Sequence, residues 1–234
     1  MTKFLAATLA AISFSLAAPA FGQSAEANVR KALEAKFGPV ENLTKTNYLG
    51  GLWEAYVEGR LVYTDEKASV FIVGHLVDPK SMQSLTEARL QKLTAVKVAD
   101  LPLENALKQV RGDGKRTLIT FEDPNCGYCK KLARDLTKVN NVTVYTFLVP
   151  ILGEDSLVKS QQIWCAADKN KAWNDWMVDN KPPSGKTDCT TPLNKNIEMA
   201  RKLRIESTPT LVMADGERVR GAIPLQQIEQ KLGK

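Results

Sequence analysis

Two cysteines of this 234-residue chain, Cys126 and Cys129, lie three positions apart in the stretch FEDPNCGYCKKL. A dithiol at this spacing can attack a disulfide and then close on itself, because the attacking species in disulfide exchange is a thiolate. The pattern predicts a strand before Cys126 and a helix after it. Unpaired backbone N–H groups at a helix start lower the pKa of a thiol. Cys126 is therefore the candidate nucleophile and Cys129 the candidate resolving cysteine.

Two other uses of a C-x-x-C pair compete with redox chemistry. Such a pair can be half of a zinc site, but the remaining cysteines, Cys165 and Cys189, are 24 residues apart and form no second pair of this kind. A structural disulfide over three residues closes a very small loop and removes little chain entropy. The sequence therefore favours a redox pair and predicts no metal site.

The source of thiolate activation is also constrained by the sequence. The single histidine, His75, lies about 50 residues before the cysteine pair. A Cys–His couple is therefore not expected, and activation of Cys126 should come from the helix start. Lys130 and Lys131, which follow the pair, are further candidate sources of positive charge.

The dipeptide Thr208-Pro209 opens a predicted strand. Proline is disfavoured inside a sheet and tolerated at a strand start, which is one interpretation. The other is a cis proline beside the cysteine pair, where the preceding residue offers its backbone to a bound peptide in the manner of strand addition. The candidate substrate-binding residues are Gly127, Tyr128, Thr208 and Pro209.

Cys165 and Cys189 are the second pair of cysteines. Cys165 lies in an apolar helical stretch, IWCAA, and Cys189 lies in a loop before the next helix. A bond between them would close a loop of about 25 residues, worth roughly 3 kcal/mol in the chain-entropy model. We interpret the pair as a structural disulfide. A second redox relay is the alternative, without a C-x-x-C signature to support it.

Residues 1–22 have the layout of a secretory signal peptide. Lys3 precedes an apolar run over residues 4–18, and small residues allow cleavage after Ala20 or Gly22. The alternative is a membrane anchor, but a span needs about 20 apolar residues. We therefore expect export to an oxidising compartment, where an even number of cysteines favours two disulfides.

The charge pattern gives no indication of a nucleic-acid partner. The formal net charge is +6, and the basic residues are spread along the chain without a long Lys/Arg run. Basic tails that bind nucleic acid show such runs. A solvated surface with a modest positive excess is the expectation.

The first part of the mature chain is predicted to be a small helix-plus-sheet unit. A helix is expected over residues 25–37, and three strand-like segments follow before Asp78: WEAYV, RLVYT and SVFIVG. About 60 residues bury little surface alone, and no cysteine is present to brace them. We expect this unit to gain core by pairing, most simply with a second copy of itself.

Residues 84–97 are predicted to form a stiff connecting helix. Ser84 and Glu87 match the Ser-x-x-Glu capping box, and the segment contains neither Gly nor Pro. A helix of this kind is a rigid spacer rather than a flexible tether.

From about residue 99 the pattern becomes α/β. The predicted elements are a helix over 103–110, a strand over 116–122, a helix over 127–138, a strand over 142–149, a helical section over 156–178, a helix over 193–203, a strand over 208–213 that pairs with ERVRG, and a helix over 224–232. The whole chain is therefore of the α+β class.

At these motifs the chain resembles the DsbC/DsbG family of disulfide isomerases. FEDPNCGYCKKL, IWCAADKNKAW, the later Cys189 and STPTLVMADGE are similar to the family's catalytic domain, and GRLVYTDEKASVFIVGHLVD is similar to its dimerisation domain. The resemblance implies a dimerisation domain over 23–82, a linker helix over 83–98, and a thioredoxin-like domain with a helical insertion over 99–234.

The resemblance also implies how such a protein works. Family members are V-shaped homodimers in the periplasm that need no cofactor, and their two active sites face a shared cleft. They rearrange wrong disulfides in misfolded exported proteins, act as chaperones, and are kept reduced by the membrane reductase DsbD. By position, Cys126 and Cys129 match the active pair, Thr208-Pro209 matches the cis-proline site, and Cys165 with Cys189 matches the structural disulfide.

The residues before the pair depart from the best-known DsbC members. Glu122, Pro124 and Asn125 are similar instead to the Phe-x-Asp-Pro run of the sister family DsbG, whereas Gly127 favours DsbC. Thr120 stands six positions before the nucleophile, where thioredoxin has a buried carboxylate. The sequence leaves open whether Glu122 or the adjacent Asp123 takes that role.

The leading hypothesis is a dimeric periplasmic protein disulfide isomerase. The first alternative is a DsbG-like reductase of oxidised cysteines. The second, of a different class, is a holdase chaperone whose cysteines matter little.

Overall fold

The computed structural model describes residues 21–233, and the predicted signal peptide lies outside them except for Phe21 and Gly22. The chain divides into two compact units, with the boundary between Leu76 and Val77. Among the described helices, none combines the length and the apolar character that a membrane crossing requires.

The N-terminal unit consists of one helix and a four-stranded antiparallel sheet with strand order β1-β2-β3-β4. Its elements are α1 (Phe21–Phe37), β1 (Val40–Lys45), β2 (Trp53–Val57), β3 (Arg60–Thr64) and β4 (Phe71–Val73). The buried core includes Val29 and Leu33 from the helix, packed on apolar residues of β2 and β3. The small helix-plus-sheet unit is thus confirmed, and β1 is an additional strand that the sequence analysis missed.

The β2–β3 hairpin shows how local sequence sets this sheet. Glu58 and Gly59 connect the strands, with φ values of 47° and 83°. Two consecutive left-handed residues match the right-handed twist of the strands in a two-residue hairpin. Glycine adopts this conformation without a steric penalty, so the turn fixes the register that pairs Val57 with Arg60.

The connecting helix, α2 (Leu85–Thr94), is shorter than the predicted 84–97. Ser84 Oγ accepts a hydrogen bond from Glu87 N at 3.0 Å, as the capping motif predicts. Beyond Thr94 the chain leaves the helix because Val96 is buried in the C-terminal unit and its N–H donates to Gly216 O at 3.0 Å. A Cβ at Gly216 would lie 2.3 Å from Val96 O, so this close approach requires glycine.

The C-terminal unit contains a five-stranded mixed sheet with order β5-β7-β6-β8-β9, in which β6 and β7 are parallel and the other neighbours antiparallel. Its elements in chain order are β5 (Leu107–Arg111), β6 (Arg116–Glu122), α3 (Gly127–Leu136), β7 (Val142–Leu148), α4 (Glu154–Cys165), α5 (Lys169–Met177), α6 (Leu193–Lys202), β8 (Thr210–Met213), β9 (Arg218–Arg220) and α7 (Leu225–Leu232). The helices α4 and α5 form the predicted insertion between β7 and α6.

The predicted helix over 103–110 is wrong. Only residues 103–105 form a single 3-10 turn, and β5 then pairs antiparallel with β7. The burial alternates along the strand, with Leu107 buried, Lys108 exposed and Val110 56% exposed. The unpaired edge of β7 therefore decides the conformation of this segment, which propensity alone assigned to a helix.

The helical section predicted over 156–178 is also interrupted. Between α4 and α5 the chain turns at Asp168, whose carboxylate accepts a hydrogen bond from Lys171 N at 2.9 Å and caps the second helix. The predicted helical section therefore consists of two short helices, α4 and α5.

The two faces of β6 pack against different helices. Ile119 and Phe121 lie in one core cluster with Ala200 of α6, and Leu118 lies in another with Leu132 of α3. Successive side chains of a strand point to opposite faces. The even-numbered residues of β6 therefore face α3, the helix that begins at the cysteine pair.

Candidate active site

Cys126 occupies the N-cap of α3, as the sequence analysis expected of a helix start. Its Sγ accepts a hydrogen bond from Cys129 N at 3.3 Å, which satisfies one of the free N–H groups of the first turn. The side chain is 6% exposed. The sulfur is thus held against the helix terminus rather than projecting into solvent.

The second contact of Cys126 lies across the sheet. The peptide bond between Thr208 and Pro209 is cis, and Thr208 O lies 3.2 Å from Cys126 Sγ. Hydrogen bonds with the Cys129 and Thr208 side chains and with backbone N–H groups lower the pKa of Cys126 to about 6, although burial opposes them. Cys126 is therefore mostly thiolate at neutral pH.

Cys129 has the opposite character. Its side chain is fully buried, and burial raises its pKa far above that of a free thiol. The hydrogen bond with Cys126 and the nearby charge of Glu122 raise it further. Cys126 therefore has the properties of an attacking thiolate. Cys129 has those of a thiol that reacts only after Cys126 has formed a bond with a substrate.

The side-chain ammonium groups of the two lysines after the pair have partners other than Cys126. The Lys130 ammonium lies 3.4 Å from the centre of the Trp176 ring and donates to Asn180 Oδ1, and Lys131 pairs with Asp135 at 2.7 Å. Neither lysine contributes to the lowered pKa of Cys126. Hydrogen bonds with Cys129, with the Thr208 side chain and with the backbone at the helix start account for the lowered pKa of Cys126, and these lysines are not among its causes.

Asp123 anchors the loop in front of the nucleophile. The carboxylate is fully buried and accepts hydrogen bonds from Asn125 N at 2.7 Å, Ile151 N at 2.8 Å, Leu152 N at 2.9 Å and Ser156 Oγ at 2.8 Å. A hydrogen bond to a charged acceptor is worth about 1.5–3 kcal/mol. Asp123 therefore fixes the loop to the start of the insertion.

The insertion makes two further contacts with this loop. Trp176 Nε1 donates to Pro124 O at 2.6 Å, and Asn125 Nδ2 donates to Asp155 Oδ2 at 2.7 Å. The sequence analysis missed Asp123 and Trp176 as loop-positioning residues. A carboxylate three positions before the nucleophile was a visible signal for the first, whereas the second depends on packing of the insertion.

The residues between the cysteines lie at the surface. Tyr128 is 70% exposed, and a Cβ added at Gly127 would meet no described atom within 4 Å. Cys126 and Thr208 are in contact, and Pro209, which is buried, follows directly. The structure thus groups all four candidate substrate-binding residues around one sulfur.

Cys165 and Cys189 are joined by a disulfide with a Cα–Cα distance of 5.7 Å. Cys165 ends α4, and Cys189 lies in the loop before α6. The bond therefore ties the end of the insertion's first helix to the segment that returns to the sheet. Within the described residues, no group of three or more His, Cys, Asp or Glu side chains is placed to hold a metal ion.

Comparison with known proteins agrees with this geometry. A family model for the N-terminal domain of disulfide bond isomerase proteins matches residues 20–87, and a thioredoxin-like domain model matches residues 103–234. A solved structure of a disulfide interchange protein from Neisseria gonorrhoeae aligns with a TM-score of 0.55 and 38% identity over 57% of this chain and 96% of that one. The α+β fold class and the two-part architecture are confirmed.

Several curated relatives are named DsbC. A probable thiol:disulfide interchange protein DsbC from Bordetella pertussis is 44% identical over 78% of this chain, which spans 65% of that relative's length. The Bordetella avium protein of the same name is 40% identical over 87% of this chain and 73% of its own. The Escherichia coli DsbC is 25% identical over 91% of this chain and 89% of its own. The chain therefore belongs to the DsbC family of thiol:disulfide interchange proteins.

Proposed function

We propose that this protein is a periplasmic protein disulfide isomerase and reductase that rearranges non-native disulfides in exported proteins. The observation that carries the proposal is the low-pKa sulfur of Cys126, placed at a helix start and 3.2 Å from the carbonyl of Thr208. The names of the DsbC relatives support the same activity.

The reaction begins with attack by the Cys126 thiolate on one sulfur of a substrate disulfide. The substrate S–S bond breaks, its second sulfur leaves as a thiolate, and Cys126 is joined to the substrate in a mixed disulfide. Backbone groups around Thr208 hold the substrate chain in the manner of strand addition, beside the exposed Tyr128.

The mixed disulfide can be resolved by two reactions. If another substrate thiolate attacks the substrate sulfur, Cys126 leaves as a thiolate and the substrate is isomerised with no net oxidation. If Cys129 attacks Cys126, the substrate leaves as a thiol, and the Cys126–Cys129 pair becomes a disulfide. The second reaction reduces the substrate and requires a later reduction of the pair, for which the membrane reductase DsbD is the proposed electron donor.

The same proposal covers the organisation of the chain. Residues 1–22 act as a signal peptide for export to the periplasm, residues 23–82 form the dimerisation domain, 83–98 the linker, and 99–234 the catalytic domain. Cofactors and nucleic acid have no part in the reaction.

We expect the protein to be a homodimer joined through the N-terminal units. In the described structure β4 is an edge strand of three residues, flanked by Val70 at 58% exposure and including Val73 at 55%. An apolar edge strand favours pairing with a second chain. Light scattering at micromolar concentration should give twice the mass of one mature chain, and a monomer would contradict the pairing.

Recovery of scrambled ribonuclease at low thiol concentration tests the function. We expect the mature protein to restore ribonuclease activity and the Cys126→Ala variant to restore none above the thiol background, because the nucleophile is missing. Circular dichroism of both proteins controls for folding. Equal recovery with both would contradict the isomerase and support a holdase chaperone.

One sequence feature favours a second candidate. The Asp123-Pro124 dipeptide belongs to the run that is similar to DsbG, a reductase of oxidised cysteines. If neither protein restores scrambled ribonuclease, while the wild type reduces the sulfenic acid of a small single-cysteine protein, the reductase becomes the better description.

A further inference from the structure

Glu122 is a buried carboxyl group whose position in the fold places it close to both active cysteines. It ends β6 on the face that Leu118 shares with α3. Its partner across the parallel pair is Leu148 of β7, which packs in one cluster with Cys126 and Cys129. Residues paired in register on neighbouring strands point to the same face, so Glu122 and the two sulfurs share one side of the sheet.

The carboxyl group of Glu122 is incompletely satisfied. The residue is 1% exposed, and within the described part of the chain its Oε2 atom has no hydrogen-bond partner. Thr120 supplies a hydrogen bond to the carboxyl group. A buried polar atom left without a partner costs free energy, and such atoms in native proteins often have a chemical role.

Electrostatic coupling connects this carboxyl group to both sulfurs. Burial, and to a lesser extent the charge of Cys126, raise the pKa of Glu122 to about 8. The charge of Glu122 in turn raises the pKa of Cys129. A group with a pKa near the working pH is the most effective proton acceptor.

The resolving step creates a need for such an acceptor. Cys129 must lose its proton to attack, but its side chain is fully buried. Asp123, the adjacent carboxylate, has both oxygens engaged by backbone and serine donors. The residue paired with Glu122 on β7 is Leu148, which does not ionise.

We propose that Glu122 accepts the proton of Cys129 as Cys129 attacks the mixed disulfide, and so promotes reduction over isomerisation. This inference rests on the proposed thiol–disulfide function. Thr120 stands where thioredoxin has a buried carboxylate. In this chain the proposed proton acceptor, Glu122, lies two residues further along the same face of β6.

The step balances in atoms and electrons. The Cys129 S–H bond breaks and its proton moves to the Glu122 carboxylate, while the Cys129 sulfur forms a bond with Cys126. The bond between Cys126 and the substrate breaks, and the substrate sulfur leaves as a thiolate that takes a proton from water. The protein dithiol loses two electrons, and the substrate disulfide gains them.

The charge on Cys126 makes the timing favourable. Burial is the main cause of the raised pKa of Glu122, and the charge of Cys126 adds to it while Cys126 is a thiolate. When Cys126 enters the mixed disulfide that charge disappears, and Glu122 ionises more readily. Glu122 therefore becomes better able to accept a proton at the stage at which Cys129 must lose one.

The Glu122→Gln variant tests the proposal, with exposed Glu104→Gln as the matched control. Reduced protein is mixed with oxidised glutathione, quenched in acid, and analysed by mass spectrometry to follow the glutathione adduct and its conversion to the Cys126–Cys129 disulfide. We expect adduct formation by Glu122→Gln within about threefold of the wild type and resolution about 100-fold slower. Glu104→Gln should match the wild type in both steps.

The pH profile separates proton transfer from a change in packing. In the wild type the resolution rate should level off as Glu122 ionises in the adduct, whereas in Glu122→Gln it should keep rising about tenfold per pH unit because hydroxide must take the proton. Resolution rates and profiles that coincide in the two proteins would overturn the proposal. A wild type that forms no adduct would overturn the proposed function itself, and this inference with it.

A second measurement does not depend on the glutamine variant folding. Carboxyl ¹³C resonances of Glu122 are titrated in the reduced protein and in the glutathione adduct of Cys129→Ala. We expect a lower pKa of Glu122 in the adduct, where the Cys126 charge is absent. The same pKa in both forms would overturn the proposal.

Discussion

Iodoacetamide at pH 7 should label Cys126 of the reduced protein and leave Cys129 almost unlabelled. With a pKa of about 6, Cys126 is about nine-tenths thiolate at this pH, whereas burial keeps Cys129 protonated and inaccessible. Because only the thiolate reacts, the labelling rates should differ by more than about 100-fold. Peptide mass spectrometry after timed quenching gives both rates, and the disulfide-bonded Cys165 and Cys189 serve as unreactive internal references.

The pH dependence of this labelling follows from the lowered pKa. The rate at Cys126 should be constant above pH 7, fall to half near pH 6, and drop about tenfold per unit below it, since each step protonates more of the thiolate. A Cys126→Ala variant should show no labelling under native conditions. A midpoint near 9, or equal labelling of Cys129, would show that the helix start and Thr208 do not activate the nucleophile.

The positions of Cys126 and Cys129 relative to the helix could be predicted from the sequence because the pattern that sets them is local. An apolar run before Cys126 and a 3.6-residue pattern after it define a strand, a loop and a helix within 21 residues of sequence, from Arg116 to Leu136. The helix start that lowers the pKa of Cys126 is part of that pattern. Local periodicity was therefore enough to place Cys126 at the helix start and Cys129 inside the first turn.

The parts of the site that the sequence analysis missed depend on distant packing. Trp176 reaches Pro124 only because the insertion folds back across the loop. Lys130 lies close to Cys126 in sequence, but its ammonium group contacts the Trp176 ring and donates to Asn180 instead. Its proximity in sequence suggested an electrostatic interaction with Cys126, whereas the tertiary structure gives its ammonium group other partners.

The fold shows the same division between local and tertiary control. The capping box of Ser84 correctly predicted where α2 begins, because the hydrogen bond lies within one turn. Its end at Thr94 could not be predicted, since it follows from the docking of Val96 beside Gly216, more than a hundred residues later. The strand β5 was missed for a related reason, because the edge of β7 with which it pairs is not visible in its own sequence.

Replacing Cys129 with alanine should convert a transient mixed disulfide into a long-lived one. In the wild type, Cys129 N lies 3.3 Å from Cys126 Sγ, so the resolving residue sits next to the bond that it must break. Without the Cys129 sulfur, the only exit is attack by a substrate thiol. If the free thiols of scrambled ribonuclease are first blocked with N-ethylmaleimide, only the thiol that the attack itself releases can use this exit, and the adduct should persist at least about tenfold longer than in the wild type.

Trapping this adduct shows which sulfur is joined to the substrate, and we propose that it is Cys126. Cys129→Ala is incubated with the blocked scrambled ribonuclease, quenched in acid, and analysed by non-reducing electrophoresis and peptide mass spectrometry. We expect a covalent complex linked through Cys126 and released by dithiothreitol, and no complex with the Cys126→Ala, Cys129→Ala double variant. A complex linked through Cys165 or Cys189, or equal amounts of complex with both variants, would contradict this proposal.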